Sequence, residues 1–156
     1  MDQASFLNLC RSTSIALGCA DPDALGNAHI IDIDGTRIAL FFDEDLAPDR
    51  IVCYIDVGKL PASGREAVLE RILAINLLSA TKTAGIYGLD QNTNSLIFIQ
   101  HFLYPELMTG EDLADILQGY SAHAASLKQN LLDPSNLRSL PEVLAESLNP
   151  GMQSLA

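Results

Sequence analysis

The sequence predicts an α+β fold in which an antiparallel sheet, built from hairpins, packs with a few helices. An Asp-Gly dipeptide at positions 34–35 joins two apolar runs, as in a tight hairpin turn. A helical apolar pattern then precedes two further strand patterns at 86–90 and 95–104. The resulting order, α-β-β-β-α-β-β-α, has no β-α-β unit with a glycine-rich phosphate loop, so it favours a twisted antiparallel sheet.

Composition and charge limit the partners of the chain. Its 156 residues fit one domain, which would bury about 70% of the surface of the unfolded chain. The formal net charge is −11, and the nine basic residues are scattered along the sequence. Binding to phosphate backbones and anionic lipids needs clustered basic residues, so we expect neither nucleic acid nor a membrane as partner.

The cysteines and the apolar runs indicate a reduced cytoplasmic protein. Cys10, Cys19 and Cys53 have neither the spacing of a zinc site nor the even number of a disulfide framework. No apolar run reaches the roughly 18 residues of a membrane-spanning helix. The acidic loop at 43–49 lacks the spacing of an EF-hand, and we expect no metal and no cofactor.

The first half of the chain predicts a helix followed by three strands. Apolar residues at helical spacing over 4–17 end at Gly18, a plausible C-terminal cap. A two-residue turn at 34–35 pairs Ile33 with Thr36, which places Asp32 opposite Arg37. The third strand, at 51–59, alternates residues between its two faces.

Neither face of this three-stranded unit is fully polar. One face carries Ile51, Cys53, Ile55 and Val57. The other carries Asp56 and the Asp32–Arg37 pair, but also the apolar or aromatic set Ile30, Ala39, Phe41, Val52 and Tyr54. An antiparallel sheet with one solvated face shows polar residues there, so the second apolar face requires a cover. Two alternatives remain open, namely the N-terminal helix and a bound peptide.

The helical pattern introduced by Pro61 and Ser63 and ending at Gly85 is apolar over more than one face. One stripe carries Val68, Ile72 and Ile75, and a neighbouring stripe carries Leu69, Leu73 and Leu77. A surface helix needs a single apolar stripe, so the second stripe indicates either a helix buried within a monomer or contact with another chain.

The second half predicts a hairpin, a long helix and a tail. The strands at 86–90 and 95–104 flank a polar loop, and Thr109 with Asp112 forms a capping-box pattern before an amphipathic helix. From residue 133 the chain is interrupted by prolines. We therefore divide it into a domain at 1–132 and a C-terminal tail at 133–156.

One motif suggests catalysis. The segment DIDGT at 32–36 matches the signature of haloacid-dehalogenase-like, Mg²⁺-dependent phosphatases, in which Asp32 would be the nucleophile and Asp34 the acid/base. That family places the motif after a parallel strand that leads into a loop and helix, whereas here a strand returns directly. The phosphatase is therefore the disfavoured alternative.

The order of elements and four segments resemble the class I type III secretion chaperones, the Tir-chaperone-like (CesT-like) family. The segments are LAINLL at 73–78, GIYGLD at 85–90, SLIFI at 95–99 and the last amphipathic helix at 113–127. The resemblance implies an acidic cytoplasmic homodimer without catalytic activity. It would hold the N-terminal chaperone-binding segment of one or more effectors in extended form, soluble and competent for secretion, and contact with the secretion-apparatus ATPase stays open.

The resemblance also implies two sets of site residues. The effector-binding groove would be lined by the first helix and the first three strands, that is by Phe6, Leu9, Ile30, Ala39, Phe41, Val52 and Tyr54. The dimer interface would use Leu69, Leu73 and Leu77, or Ile72 and Ile75 if the two stripes are reversed.

Overall fold

A computed structural model describes residues 1–78 and 85–132. The predicted tail at 133–156 and residues 79–84 of the predicted central helix lie outside the described residues. The helices are α1 (Gln3–Ala16), α2 (Ala24–Ala28), α3 (Arg65–Leu78) and α4 (Gly110–Asn130), and a 3-10 turn covers Pro105–Leu107. The strands are β1 (Ile30–Ile33), β2 (Thr36–Phe41), β3 (Arg50–Lys59), β4 (Ile86–Asp90) and β5 (Ser95–Leu103).

The five strands form one antiparallel sheet in the order β1-β2-β3-β5-β4. The predicted hairpin register is confirmed, because Ile33 pairs with Thr36 and Asp32 with Arg37. Asp34 and Gly35 have φ angles of 50° and 77°, the left-handed conformations that a type I′ turn requires. The turn chemistry of two residues therefore sets the register of the hairpin.

One face of the sheet is covered by a layer of helices. Helix α4 packs against β1, β2 and β3, and α1 packs against α4. The strands contribute their alternate residues to this core, as the sequence of β3 predicts. The largest fully buried side chains are Phe6, Leu25, Ile38, Leu40, Ile51, Ile55, Ile75, Leu96, Leu113, Leu117, Leu127 and Leu131.

Polar contacts define the start of helix α4 and anchor its middle. The predicted capping box is confirmed, since the Asp112 amide donates to the Thr109 hydroxyl at 3.1 Å and the Thr109 amide donates to the Asp112 carboxylate at 3.0 Å. Further along, the Ser121 hydroxyl donates to the Ile33 carbonyl at 2.7 Å. The cap fixes the start of α4, and the Ser121 bond ties the helix to the first hairpin.

The observed order adds one short helix to the predicted order. The turn-rich segment before β1 contains α2, whose Leu25 is fully buried in the core. Gly26 of α2 allows a close approach, because a Cβ there would lie 3.3 Å from a methyl group of Leu7. Packing of Leu25 thus outweighs the turn preference of the surrounding residues.

We expect Gly110→Ala to destabilise the fold by about 1–3 kcal/mol, because the added methyl group has no space where α4 crosses α1. It would contact the Ser12 side chain and lie 2.6 Å from the Ser12 carbonyl carbon and 2.8 Å from the Thr13 nitrogen. Urea unfolding measures the change. Gly88→Ala is the control, since its methyl group meets the Ile99 side chain at an ordinary 3.4 Å. Equal stability of the two variants would contradict this close crossing.

Candidate functional site

The face of the sheet opposite the helices carries a solvent-accessible apolar strip, beside which lie the charged residues Asp32, Arg37 and Asp56. Strand register aligns one residue from each strand in a row that crosses the whole sheet, and in order the row is Ile30, Ala39, Tyr54, Ile99 and Ile86. Ile30, Tyr54 and Ile86 are exposed, and the other two are partly exposed. With strands about 4.8 Å apart, the row is about 19 Å long. We call this surface the open face.

A second row and a hollow extend the open face. Phe41 pairs with Val52, which in turn pairs with His101. On the other side of the first row is a mostly apolar hollow of about 390 Å³, lined by Tyr54, Gly88, Leu89, Asp90, Ile97 and Ile99. The open face is thus a continuous apolar strip with a concave region above β4 and β5.

Five of the seven residues predicted to bind an effector share the open face. They are Ile30, Ala39, Phe41, Val52 and Tyr54, all placed there by the alternation of their strands. The other two, Phe6 and Leu9, are buried in the core beneath α1. The sequence analysis missed the contribution of β4 and β5, namely Ile86, Ile97 and Ile99, although the alternation in 95–99 carried that signal.

A row of aromatic rings connects the core with the open face. Phe6 stacks on Phe42 at a centroid distance of 5.2 Å and faces the His29 ring at 6.0 Å. His29 lies 6.5 Å from the Phe41 ring, which meets Tyr54 edge-on at 5.4 Å. Buried Phe6 therefore supports the exposed rings, although it is not part of the exposed surface.

Helix α3 separates its two apolar stripes between the core and the solvent. Ile72 and Ile75 belong to the core, and only 4% and 0% of their surfaces are accessible. Leu73 and Leu77 are 67% and 77% exposed, and Leu69 is partly buried. The stripe formed by Leu69, Leu73 and Leu77 is thus the one available to another chain.

Asn76 joins α3 to the edge of the sheet. Its side-chain oxygen accepts from the Tyr87 amide at 2.8 Å, and its side-chain nitrogen donates to the Tyr87 carbonyl at 2.9 Å. Among the described strands, β4 has β5 as its single partner, so Asn76 supplies the bonds that a neighbouring strand would supply. The Tyr87 ring packs in the core against Phe98, and burial raises the pKa of its hydroxyl.

The DIDGT segment forms a turn without the surroundings that a phosphatase requires. Asp32 and Asp34 lie on the β1–β2 hairpin, and Asp32 accepts a hydrogen bond from the Gly35 amide at 3.0 Å. This bond stabilises the tight turn. The antiparallel return of β2 replaces the loop and helix that the phosphatase family needs, so the phosphatase alternative has no support.

The two buried cysteines, Cys10 and Cys53, are not activated as nucleophiles. Burial raises the pKa of the Cys10 thiol to about 12, and it raises the pKa of Cys53 as well, so neither is poised as a thiolate nucleophile. Within 1–78 and 85–132, no three His, Cys, Asp or Glu side chains are grouped to hold a metal ion. Among the helices of these ranges, none is long and apolar enough to cross a membrane.

Comparison with known proteins identifies the family. The family model described as the Tir chaperone protein (CesT) family matches residues 14–128. The chain therefore belongs to the Tir chaperone family, and the resemblance found in the sequence is confirmed. No curated protein sequence gives a match.

Two solved structures resemble the chain. A chain in the crystal structure of the ExsC-ExsE complex aligns with a TM-score of 0.66 and 15% identity, over 86% of this chain and 99% of that one, so the two share a fold. A chain in the structure of the HopA1-SchA chaperone-effector complex aligns with a TM-score of 0.49 and 16% identity, over 83% and 98% of the two chains.

We expect Asn76→Ala to destabilise the fold by about 1–3 kcal/mol, because the amide and carbonyl of Tyr87 each lose a hydrogen-bond partner. Urea unfolding measures the loss, and hydrogen exchange should show faster exchange at the Tyr87 amide. Asn92→Ala in the exposed β4–β5 turn is the control, expected within about 0.5 kcal/mol of the wild type. Unchanged exchange at Tyr87 in Asn76→Ala would contradict the proposed role of Asn76.

Proposed function

We propose that this chain is a type III secretion chaperone. In this proposal a homodimer binds the N-terminal chaperone-binding segment of one or more effectors in extended form. The bound segment stays soluble and competent for secretion, and the complex delivers its client to the secretion apparatus and its ATPase. The observation that carries the proposal is the open face, an apolar sheet surface that no element of the described chain covers.

Family membership and one structural neighbour support this assignment. The family model matches 115 of the 156 residues, and its members are described as chaperones. The neighbour that shares the fold was solved as a complex of two proteins, ExsC and ExsE. A surface that binds a second polypeptide fits both findings better than a catalytic site does, so we infer a chaperone without enzymatic activity.

The open face suits an extended apolar segment. A client chain that crosses the sheet can place alternate side chains against Phe41 and Tyr54, while the hollow beside Ile99 accepts a larger side chain. Each apolar side chain fully buried in this way contributes about 1.5–3 kcal/mol, which must offset the entropy lost when the client is ordered. Affinity therefore requires several contacts along the segment.

The outer stripe of α3 suits a second copy of the chain. Leu73 and Leu77 from two copies, if fully buried, would contribute roughly 6–12 kcal/mol, comparable to the association cost of about 4–15 kcal/mol. The leucines alone would give a marginal dimer, so the proposed interface extends to Leu69 and the residues around the stripe. Ile72 and Ile75 would support this interface from the core.

The net charge of −11 agrees with a cytoplasmic protein that carries apolar surfaces. Repulsion between acidic chains opposes nonspecific association, which an exposed sheet face would otherwise promote. We therefore place the chaperone in the bacterial cytoplasm, where its client is synthesised.

We expect Phe41→Asp with Tyr54→Asp to reduce client capture at least about tenfold, because charges replace two aromatic contacts. The measurement is a pull-down of secreted proteins from the native cytoplasm, followed by limited proteolysis of the captured client. The wild type should protect an N-terminal segment of that client. Ile15→Asp on the exposed side of α1 is the control and should capture a normal amount. Equal capture by the double variant would refute client binding on the open face.

We expect Leu73→Asp with Leu77→Asp to convert the dimer to a folded monomer, because four charges would be brought into one interface. Sedimentation equilibrium measures the mass, and circular dichroism tests the fold. Ile15→Asp should remain dimeric. Ile72→Asp should instead unfold the chain, since that side chain belongs to the core. A wild-type protein that sediments as a monomer would overturn the proposed dimer.

A further inference from the structure

Further exposed apolar side chains lie at one end of the sheet, in two connecting segments. The loop at 42–49 joins β2 to β3 there, and the segment at 103–108 joins β5 to α4. Leu46 at the tip of the first segment is 85% exposed, and Leu107 in the second is 81% exposed. Tyr104, between the two, is also exposed. We call this surface, formed by Leu46, Tyr104 and Leu107, the end patch.

Hydrogen bonds join the two segments that carry the end patch and hold their backbones in place. The Tyr104 amide donates to the Asp49 carbonyl at 2.8 Å, which joins the two segments. The Met1 ammonium donates to the Pro48 carbonyl at 3.0 Å, and the Gln3 amide donates to the Glu44 carboxylate at 3.0 Å. The loop is therefore held by β5 on one side and by the start of α1 on the other.

Hydrogen bonds within the loop fix the backbone around the exposed Leu46. One Asp43 carboxylate oxygen accepts from the Asp45 amide at 3.0 Å and from the Leu46 amide at 2.9 Å, and the Ala47 amide donates to the Asp43 carbonyl at 3.0 Å. A leucine exposed on an ordered turn buries no apolar area in this chain. Because the backbone around Leu46 is already ordered, binding of a partner there costs little backbone conformational entropy.

The charges around the end patch are almost all negative. The segments 42–49 and 103–108 contain no lysine or arginine, and their acidic residues are Asp43, Glu44, Asp45, Asp49 and Glu106. The neighbouring arginine, Arg50, is engaged with Asp49, its Nε donating to the carboxylate at 3.0 Å. Such a surface repels nucleic acid and anionic lipid, and it complements a surface that is both cationic and apolar.

The second segment of the end patch also borders a groove beside α1. Pro105, Glu106 and Met108 line this groove of about 430 Å³ together with Met1 and residues of α1. The groove lies next to Leu107 in the chain and is formed by helical elements rather than by the open side of the strands.

We propose that the end patch is a docking site for a cationic amphipathic segment of a second protein partner, distinct from the client. Leu46 and Leu107 are the apolar anchors, and the surrounding carboxylates pair with lysine or arginine side chains of the partner. This docking site goes beyond the proposed client binding and does not depend on it.

The test uses the full-length protein and a synthetic amphipathic helix about five turns long, with leucines on one face and lysines on the other. Fluorescence anisotropy measures its Kd. Leu46→Ser and Leu107→Ser, each alone, should raise the Kd about tenfold, because each removes an anchor. Ile15→Ser, which removes an exposed apolar side chain elsewhere, should leave the Kd unchanged.

Charge is tested with a matched pair of double variants. Asp45→Asn with Glu106→Gln leaves the hydrogen bonds of the loop intact. We expect it to raise the Kd of the peptide about three- to tenfold, and this increase should be smaller at high salt. Glu70→Gln with Asp115→Asn makes the same change in net charge on α3 and α4 and should have little effect.

Two results would overturn the proposal. In the first, the leucine variants bind the peptide as tightly as the wild type. In the second, the distant charge variant weakens binding as much as the local one, which would reduce the interaction to general attraction by an acidic chain. Thermal unfolding and sedimentation of every variant, matched to the wild type, exclude loss of the fold as the cause.

Discussion

The sheet has two apolar faces, and the described chain supplies helices for only one of them. Alternation along β3 places Cys53 and Ile55 under α4 and leaves Val52 and Tyr54 on the other side. Ordinary antiparallel sheets avoid this situation by making the second face polar. Here the second face carries accessible apolar side chains, and we propose it as the binding surface. The proposed functions of the protein follow from this unequal coverage.

Local features of the sequence predicted most of the elements. The Asp34-Gly35 dipeptide determined the register of the first hairpin, because a type I′ turn allows one pairing of the flanking residues. Thr109 and Asp112 located the start of α4, since capping acts over three residues. Alternation also separated the two faces of β3. Each of these signals depends on neighbours in the chain and needs no knowledge of the tertiary structure.

Features that depend on distant residues could not be predicted in this way. The resemblance to the family assigned Phe6 to the groove, but the apolar pattern of a helix does not say what its apolar face meets, and in the structure Phe6 lies in the core. The buried position of Leu25 depends on the packing of α1 beside α2. The contact between Gly110 and Ser12 joins residues about a hundred positions apart. Tertiary packing decides all three.

Asn76 has a consequence for self-association. A sheet edge with free amides and carbonyls is a template on which further strands can assemble, and an aggregating chaperone could not keep its client soluble. By bonding the Tyr87 amide and carbonyl, the Asn76 side chain ends the hydrogen-bonding pattern in the middle of β4. A further strand could not pair at Tyr87 without displacing this side chain. We therefore infer that Asn76 hinders association through the β4 edge while the open face stays available.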